Sequence, residues 1–221
     1  MIQMINYQLI RSKRKTLSLQ IDRQACLLVR APMHLSVEKI EHFINEKQNW
    51  IRKKQAEIKS KTPPKQDYAS GNKYLFLGEW YPLQYIESGN PLHFDGQSFQ
   101  LNTQYEGNKA FHWFYQKEFI KTAMPLLEQF AEKHNLDYKE VRFKAQKSRW
   151  GSCSASNNIN LNYLLMMAPM SVIEMVIAHE LAHTVHKNHS KVFYELLTTM
   201  MPEHKQADIW LKQHSQVLHN L

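Results

Sequence analysis

The feature that most constrains this chain of 221 residues is the sequence His-Glu-x-x-His, which starts at His179 and ends at His183. On an α-helix, residues four apart lie about 40° apart around the axis and about 6 Å apart along it. Both imidazole rings can therefore reach one metal ion from the same face. Glu180 lies about 100° round from His179, where a carboxylate can hold the water molecule that a metal activates. The stretch predicts a helix that carries a metal site.

A third ligand has to come from outside this turn of the helix. On a straight helix His189 would lie about 15 Å beyond His179, but Asn188 tolerates the left-handed conformation that ends helices and could return His189 to the site. His186 points to nearly the same side as His179, yet it lies about 10.5 Å away along the axis. Two carboxylates of the following segment are further candidates, Glu195 and Glu203. The spacing favours His189.

The residues around the motif are apolar in nearly every direction of the expected helix. A helix that is apolar all round belongs in the protein interior, where an ionisable side chain is costly unless it lines a functional site. The pattern Ser171-x-x-Glu174, directly after Pro169, predicts a capping box at the start of this helix. Ser190 is expected to cap the helix that follows.

Length and composition are those of an ordinary soluble globular protein. Hydrophobic residues make up 43% of the chain and charged residues 22%, and its length suits one large domain or two small ones. Only two cysteines occur, Cys26 and Cys153, which argues against a disulfide scaffold and fits a reducing compartment. The sequence has no apolar run of about 18 residues and no visible signal peptide. We expect a cytoplasmic protein that does not cross a membrane.

The first half of the chain is richer in expected strands and in positive charge than the second half. Residues 1–105 hold 15 Lys or Arg against 9 Asp or Glu, whereas residues 106–221 hold 13 against 11. Alternating apolar residues predict a strand at 15–21, and Ser36 is expected to cap a helix with helical apolar spacing. These patterns favour a β-rich basic N-terminal part, residues 1–105, followed by a metal-binding part, residues 106–221.

Two groups of basic side chains account for most of the excess charge. They are Arg11, Lys13, Arg14 and Lys15 in the first group, and Arg52, Lys53, Lys54, Lys59, Lys61 and Lys65 in the second. If both groups face one way, they should attract a nucleic acid or another polyanion with a steep salt dependence. A solvated basic face that keeps the protein soluble explains the same charges.

Two further strands are expected before the metal helix, at 141–145 and at 159–163, because apolar and polar residues alternate there. The polar turn between them carries Arg149 and Cys153. Arg149 could bind substrate or stabilise an oxyanion, although an ion pair or a phosphate contact serves equally well. Cys153 could be a thiolate ligand or nucleophile, but a small buried residue is the commoner case for a lone cysteine.

These motifs resemble the YgjP-like metallopeptidase family. The resemblance rests on Arg149-Trp150-Gly151-Ser152-Cys153, Ile159-Asn160-Leu161-Asn162, Ala168-Pro169, the metal motif with His189-Ser190 and Phe193, Arg11-Ser12-Lys13-Arg14-Lys15-Thr16 and Val29-Arg30-Ala31-Pro32. It implies a zincin-type catalytic half in which His179, His183 and His189 bind zinc and Glu180 is the catalytic glutamate. The stretch is also similar to Wss1-like and SprT-like metalloproteases, relatives associated with proteins on DNA. It differs from metzincins, which have a glycine at the position of His186.

We therefore predict an α+β fold with a β-rich N-terminal part and a zincin-like C-terminal catalytic part. The expected function is Zn²⁺-dependent hydrolysis, most simply of a peptide or protein substrate, with Glu180 as the general base. The strand at 159–163 could hold an extended substrate by edge pairing. Two alternatives stay open: a metal-dependent nucleotide phosphohydrolase, and a nucleic-acid-binding protein with a structural metal site.

Overall fold

The computed structural model describes residues 6–22, 25–61 and 67–221. Within these ranges the chain forms six α-helices and three small β-sheets, so the fold is α+β, as the sequence predicts. The contacts between Cα atoms divide the chain into two compact units, Met1–Pro64 and Lys65–Leu221. In the described ranges, no helix is both long enough and apolar enough to cross a membrane.

The first unit consists of one three-stranded sheet and two helices. Its strands are β1 (Tyr7–Ser12), β2 (Ser18–Ile21) and β3 (Leu27–Pro32), and its helices are α1 (Val37–Glu46) and α2 (Gln48–Lys61). Strand β3 is central, with β1 parallel and β2 antiparallel to it. The buried core consists of Leu27, Val29, Ala31, Ile40, Ile44 and Ile51. The Ser36 hydroxyl accepts a hydrogen bond from the Lys39 backbone N–H, which confirms the expected cap of α1.

Arg11 holds the connection between β3 and α1. Its Nη1 donates to the carbonyl oxygens of Pro32 at 3.1 Å, Met33 at 3.0 Å and Leu35 at 2.7 Å. A guanidinium bound to backbone carbonyls in this way has a structural role. One of the basic side chains considered for polyanion binding is therefore bound to backbone carbonyls of its own unit.

The second predicted basic group lies mainly on α2, where Arg52, Lys53 and Lys54 are exposed. Lys54 forms an ion pair with Glu57 at 2.7 Å. The side chains of Lys59 and Lys61 and the whole of Lys65 lie outside the described residues. Binding of a polyanion by this unit stays a prediction.

The second unit contains the remaining two sheets and four helices. The first sheet has the order β4-β5-β7-β6 and consists of β4 (Lys73–Phe76), β5 (Glu79–Ile86), β6 (Leu92–Phe94) and β7 (Phe99–Asn102). The second has the order β8-β10-β9 and consists of β8 (Glu140–Lys144), β9 (Gly151–Cys153) and β10 (Asn158–Asn162). The helices are α3 (Gly107–His134), α4 (Met170–Val185), α5 (Lys191–Met200) and α6 (His204–Leu218).

Strands β4–β7 share one hydrophobic core with the helix that carries the metal motif. Phe99 on β7 and Phe111 on α3 are both fully buried, and their ring centroids are 5.0 Å apart. Ile173 and Leu181 on α4 belong to the same cluster of buried side chains. The sequence predicts a boundary after residue 105, whereas the first compact unit ends at Pro64. The strands β4–β7 belong to the second unit because their sheet buries its apolar face against α3.

Helix α4 is buried on nearly all sides, as its apolar residues predict, and it packs beside the sheet of β8–β10. Its start differs from the prediction. The helix begins at Met170 with Pro169 as N-cap and without a side-chain cap bond. The capping box predicted for Ser171 and Glu174 does not form, because Ser171 already lies inside the first turn.

We expect Arg11→Ala to lower the free energy of unfolding of the first unit by about 1–2 kcal/mol, because carbonyl groups that now accept from a charged donor lose that partner. Hydrogen exchange should become faster in the connection between β3 and α1. Lys13→Ala, which removes an exposed cation from the same basic group, is the matched control. If the two variants have equal free energies of unfolding, the Arg11 side chain contributes no more to stability than an exposed cation does.

Candidate metal centre

Helix α4 and the segment after it bring the three predicted ligands together. The Nε2 atom of His189 lies 3.2 Å from Nε2 of His183 and 3.1 Å from Nε2 of His179. One ligand atom from each of these histidines lies within 4.8 Å of the others. Two nitrogens bound tetrahedrally to one zinc ion are about 3.3 Å apart. A neutral ring nitrogen carries at most one proton, so His189 Nε2 cannot donate to both neighbours. The three histidines are therefore close enough to share one metal ion.

His189 reaches the site because α4 ends earlier than the sequence predicts. The last helical residue is Val185, and His186 follows in an extended conformation with φ −110° and ψ 100°. Asn188 was the expected point of reversal, but it is not among the described residues with positive φ. The expected mechanism of reversal is therefore wrong, although the chain does bring His189 back.

A hydrogen bond stabilises the end of α4 and orients one ligand. The carbonyl oxygen of His186 can only accept, so Nδ1–H of His183 donates to it at 2.9 Å. This fixes the His183 tautomer that leaves Nε2 without a proton and directed at the centre. His186 thus takes part through its backbone, and its ring does not belong to the cluster of candidate ligands.

The carboxylates considered as alternative ligands also lie outside that cluster. Glu195 is exposed and lies 3.5 Å from the ammonium of Lys191. Glu203 is the N-cap residue of α6 and is exposed to solvent. Among the described residues the geometry therefore favours His189 as third ligand over Glu195, Glu203 or the ring of His186.

Glu180 lies against strand β9 and is only 5% exposed. A Cβ atom on Gly151 would overlap the Glu180 carboxylate, so this strand can approach α4 only with glycine at that position. Within the described part of the chain, Oε2 of Glu180 has no hydrogen-bond partner. Burial raises the pKa of Glu180 to about 8, and the positive charge of Arg149 opposes that shift. A carboxyl with these properties can accept a proton and hold it at neutral pH.

Two of the candidate ligands are held as neutral imidazoles. Burial, followed by the charges of His183 and His189, lowers the pKa of His179 to about 4. Burial also lowers the pKa of His183. Metal binding requires the deprotonated ring nitrogen, so both side chains are ready to bind a cation at pH 7.

The strand next to Glu180 is the edge strand β9, whereas β10 is paired on both sides. Edge pairing of a substrate with residues 159–163, as expected from the sequence, is therefore wrong. The Asn162 N–H donates to the Trp150 carbonyl, and the Ser154 N–H donates to the Asn158 carbonyl. Because backbone groups alternate in direction along a strand, those of Gly151 and Cys153 point away from β10.

Lys187 connects the loop that carries His189 to the turn after β9. Its Nζ donates to the Ser154 carbonyl at 3.1 Å and to Oδ1 of Asn157, and it lies 4.0 Å from Sγ of Cys153. Burial raises the pKa of the Cys153 thiol, and the nearby Lys187 ammonium opposes that shift. Cys153 is not in the cluster of candidate ligands. This favours the interpretation of Cys153 as a small packed residue over a thiolate ligand.

Arg149 lies at an exposed position before β9, and its positive charge lowers the pKa of Glu180. Its backbone carbonyl accepts from Nδ2 of Asn162 at 3.1 Å. No ion pair of its guanidinium is found in the described ranges of the chain. Substrate binding by Arg149 stays a prediction.

Sequence reasoning missed a cleft of about 480 Å³ between α4, α5 and α6, with His179 in one wall. The residues from α6 that line it are His204, Lys205, Asp208 and Lys212. The spacing of Lys205, Asp208 and Lys212 in the sequence places these three side chains on one face of a helix. Nothing in the sequence indicated that this face lies next to His179.

The model of the YgjP-like family, described as a metallopeptidase domain, matches residues 15–214. The chain belongs to the YgjP-like metallopeptidase family. Membership of the family supports a metal-dependent hydrolase.

A UTP pyrophosphatase of Escherichia coli (strain K12) is 35% identical to this YgjP-like chain over 67 residues, which cover 28% of the chain and 40% of that relative. The match thus spans less than half the length of the curated relative.

Two solved structures are similar to part of the YgjP-like chain. The metallopeptidase zymogen abylysin of Pyrococcus abyssi has a TM-score of 0.38 and 21% identity, and the match covers 41% of this chain and 93% of that one. The zymogen jannalysin of Methanocaldococcus jannaschii has a TM-score of 0.38 and 19% identity, with 41% of this chain and 94% of that one covered.

We expect His189→Ala to weaken zinc binding by more than about 100-fold, because loss of a ligand costs more than loss of a residue that supports one. His186→Ala should retain zinc, since only its backbone carbonyl contacts His183. Metal content after dialysis and competition with a chelator measure both. Full zinc retention by His189→Ala together with loss in His186→Ala would overturn the assignment.

In the metal-free protein, Glu180→Gln should remove a pH dependence of stability. The pKa of Glu180 is raised from 4.5 to about 8 in the fold. The folded state therefore holds more protons than the unfolded state between these values, and stability falls as pH rises through them. At pH 7 the loss approaches about 3 kcal/mol.

Urea unfolding of the metal-free protein from pH 4.5 to 8 measures this effect. Glu180→Gln should become more stable than the wild type as pH rises, whereas Glu195→Gln, which alters an exposed carboxylate, should follow the wild type. Parallel curves for the wild type and Glu180→Gln would contradict a buried, protonated Glu180.

Proposed function

We propose that this chain is a zinc-dependent hydrolase in which His179, His183 and His189 hold the ion and Glu180 transfers the proton. The observation that supports this most strongly is the convergence of three ring nitrogens beside a buried carboxyl with an unpartnered oxygen. Three protein ligands leave room for water and substrate, which is typical of catalytic zinc sites, whereas structural sites have four. The proposal is therefore favoured over a structural metal site in a nucleic-acid-binding protein.

The chain's own residues supply the proton transfers. Zinc, when bound, would act as a Lewis acid and lower the pKa of a water molecule. Glu180 would accept a proton from the attacking water as the water oxygen bonds to the substrate carbonyl carbon. The same carboxyl then donates the proton to the leaving nitrogen as the C–N bond breaks. Burial raises the pKa of Glu180 in the metal-free protein, whereas a dication held by the three histidines would favour the ionised carboxylate, which is the form that accepts a proton.

A peptide or protein is the first substrate class that we propose. The backbone groups of Gly151 and Cys153 are directed away from β10, so an extended peptide could add to β9 as a further strand. Because Gly151 lies against the Glu180 carboxylate, such a peptide would pass close to the proton acceptor. This replaces the pairing with residues 159–163 expected from the sequence.

A nucleoside triphosphate is the second candidate substrate, and the partial match to a UTP pyrophosphatase favours it. In that reaction the water oxygen bonds to phosphorus, the phosphoanhydride P–O bond breaks, and pyrophosphate leaves. Glu180 would accept the water proton as in peptide hydrolysis. The exposed guanidinium of Arg149 has the geometry to bind phosphate oxygens in pairs.

Two further proposals concern location and partners. Cys26 and Cys153 are present as thiols, which supports a reducing compartment, in agreement with a cytoplasmic location. The exposed basic side chains of the first unit support binding of a nucleic acid or another polyanion, with Arg11 excluded because its guanidinium is bound to backbone carbonyls.

We expect Glu180→Gln to retain zinc and lose about 10²- to 10⁴-fold in kcat, because the variant can no longer accept the water proton. The measurement is hydrolysis of a peptide library and of UTP by the zinc-loaded wild type and variant. Glu195→Gln should keep the wild-type rate. A wild-type rate in Glu180→Gln would exclude Glu180 as the base, and zinc-loaded wild type without activity on either class would contradict the hydrolase proposal.

A further inference from the structure

The cleft between α4, α5 and α6 has no role in the proton transfers proposed above. It has a volume of about 480 Å³ and shares His179 with the metal centre. Its lining includes two buried apolar side chains, Met175 and Leu197, at 5% and 2% exposure. A group bound in this cleft would therefore lie beside the metal ligand and be partly withdrawn from water.

Tyr194 joins the cleft to the centre. Its ring lies 6.2 Å from the ring of His189 and 6.3 Å from that of His204, which it faces at 26°. The Thr198 hydroxyl donates to the Tyr194 carbonyl at 2.7 Å, so its oxygen can accept from Nε2 of His204 at 3.2 Å. His204 is only 6% exposed. These bonds connect Tyr194, Thr198 and His204 within the wall of the cleft.

The charged side chains of the cleft come from one face of α6. Asp208 and Lys212 form an ion pair at 2.5 Å, so their charges largely cancel. Lys205 is exposed and has no ion-pair partner among the described residues. Of the two lysines and one aspartate that line the cleft, Lys205 therefore contributes one positive charge that the aspartate does not compensate.

We propose that this cleft is a substrate subsite for an anionic group next to the cleaved bond, and that Lys205 recognises the charge. The inference rests on the hydrolase proposed above and specifies what its substrate carries. An ammonium beside a partly apolar cleft attracts an anion more strongly than it would in bulk water. The anionic group is the pyrophosphate portion of a nucleoside triphosphate or the carboxylate of an acidic residue in a peptide. Both place negative oxygens within reach of a lysine.

The first test measures pyrophosphate binding to the zinc-loaded Glu180→Gln protein by calorimetry. In that background Lys205→Ala should weaken binding about tenfold or more, since a hydrogen bond to a charged group is lost. Lys205→Glu should weaken it further, and Lys205→Arg should keep it within about threefold because the charge remains. Lys121→Ala, which removes another exposed lysine, on α3, is the matched control. Unchanged binding in both Lys205→Ala and Lys205→Glu would overturn the inference.

The second test identifies the source of the anionic group. Steady-state hydrolysis is compared for UTP and for peptides with Asp or Lys next to the cleaved bond. If the group is a phosphate, Lys205→Glu should raise KM for UTP and change kcat little. If it is an acidic residue, the same variant should raise KM for the Asp peptide and lower it for the Lys peptide.

The failures of the two proposals are distinguishable in these experiments. An inactive zinc-loaded wild type contradicts the hydrolase proposal, whereas the calorimetry still tests Lys205. An active wild type whose KM values and pyrophosphate affinity do not respond to Lys205→Glu contradicts only the subsite.

Discussion

The hydrogen bond from Nδ1–H of His183 to the carbonyl of His186 is the interaction on which the metal centre depends. It stabilises the chain where α4 stops, and the extended residue His186 then starts the return of His189. The same bond places the proton of His183 on Nδ1, so Nε2 is free to bind a cation. One backbone carbonyl therefore contributes to the path of the chain and to the protonation state of a ligand.

A second constraint is the close approach of β9 to α4. Only glycine at position 151 leaves room for the Glu180 carboxylate, and the resulting burial raises the pKa of Glu180 to about 8. Packing thus determines the proton affinity of the proposed base. Because β9 is also an edge strand, the backbone that buries the base is the backbone that an extended substrate could pair with.

The loop that carries His189 is connected to this strand through Lys187. Its ammonium bonds to the turn formed by Ser154 and Asn157, so the third candidate ligand and the edge strand are held together from outside the metal centre. On the other side of the centre, Tyr194 lies between His189 and the cleft of α5 and α6. The candidate ligands are therefore supported by elements on two sides.

The sequence by itself determined what depends on local geometry. The spacing of His179, Glu180 and His183 on one helix follows from 3.6 residues per turn, and apolar residues on all sides of α4 predict its burial. Alternation of apolar and polar residues likewise predicts strands near 141–145 and 159–163, where β8 and β10 are found. Local patterns also placed the start of α1 after Ser36.

Only the tertiary structure decided which distant segments meet. The order β8-β10-β9 makes β9 the edge strand, and alternation within one strand carries no information about its neighbours. Helix α6 places Lys205 in the cleft beside His179, and the β4–β7 sheet joins the core of α3 and α4. These arrangements depend on packing and hydrogen bonds between residues far apart in the chain, whereas periodicity reports only on residues within a few turns of one another.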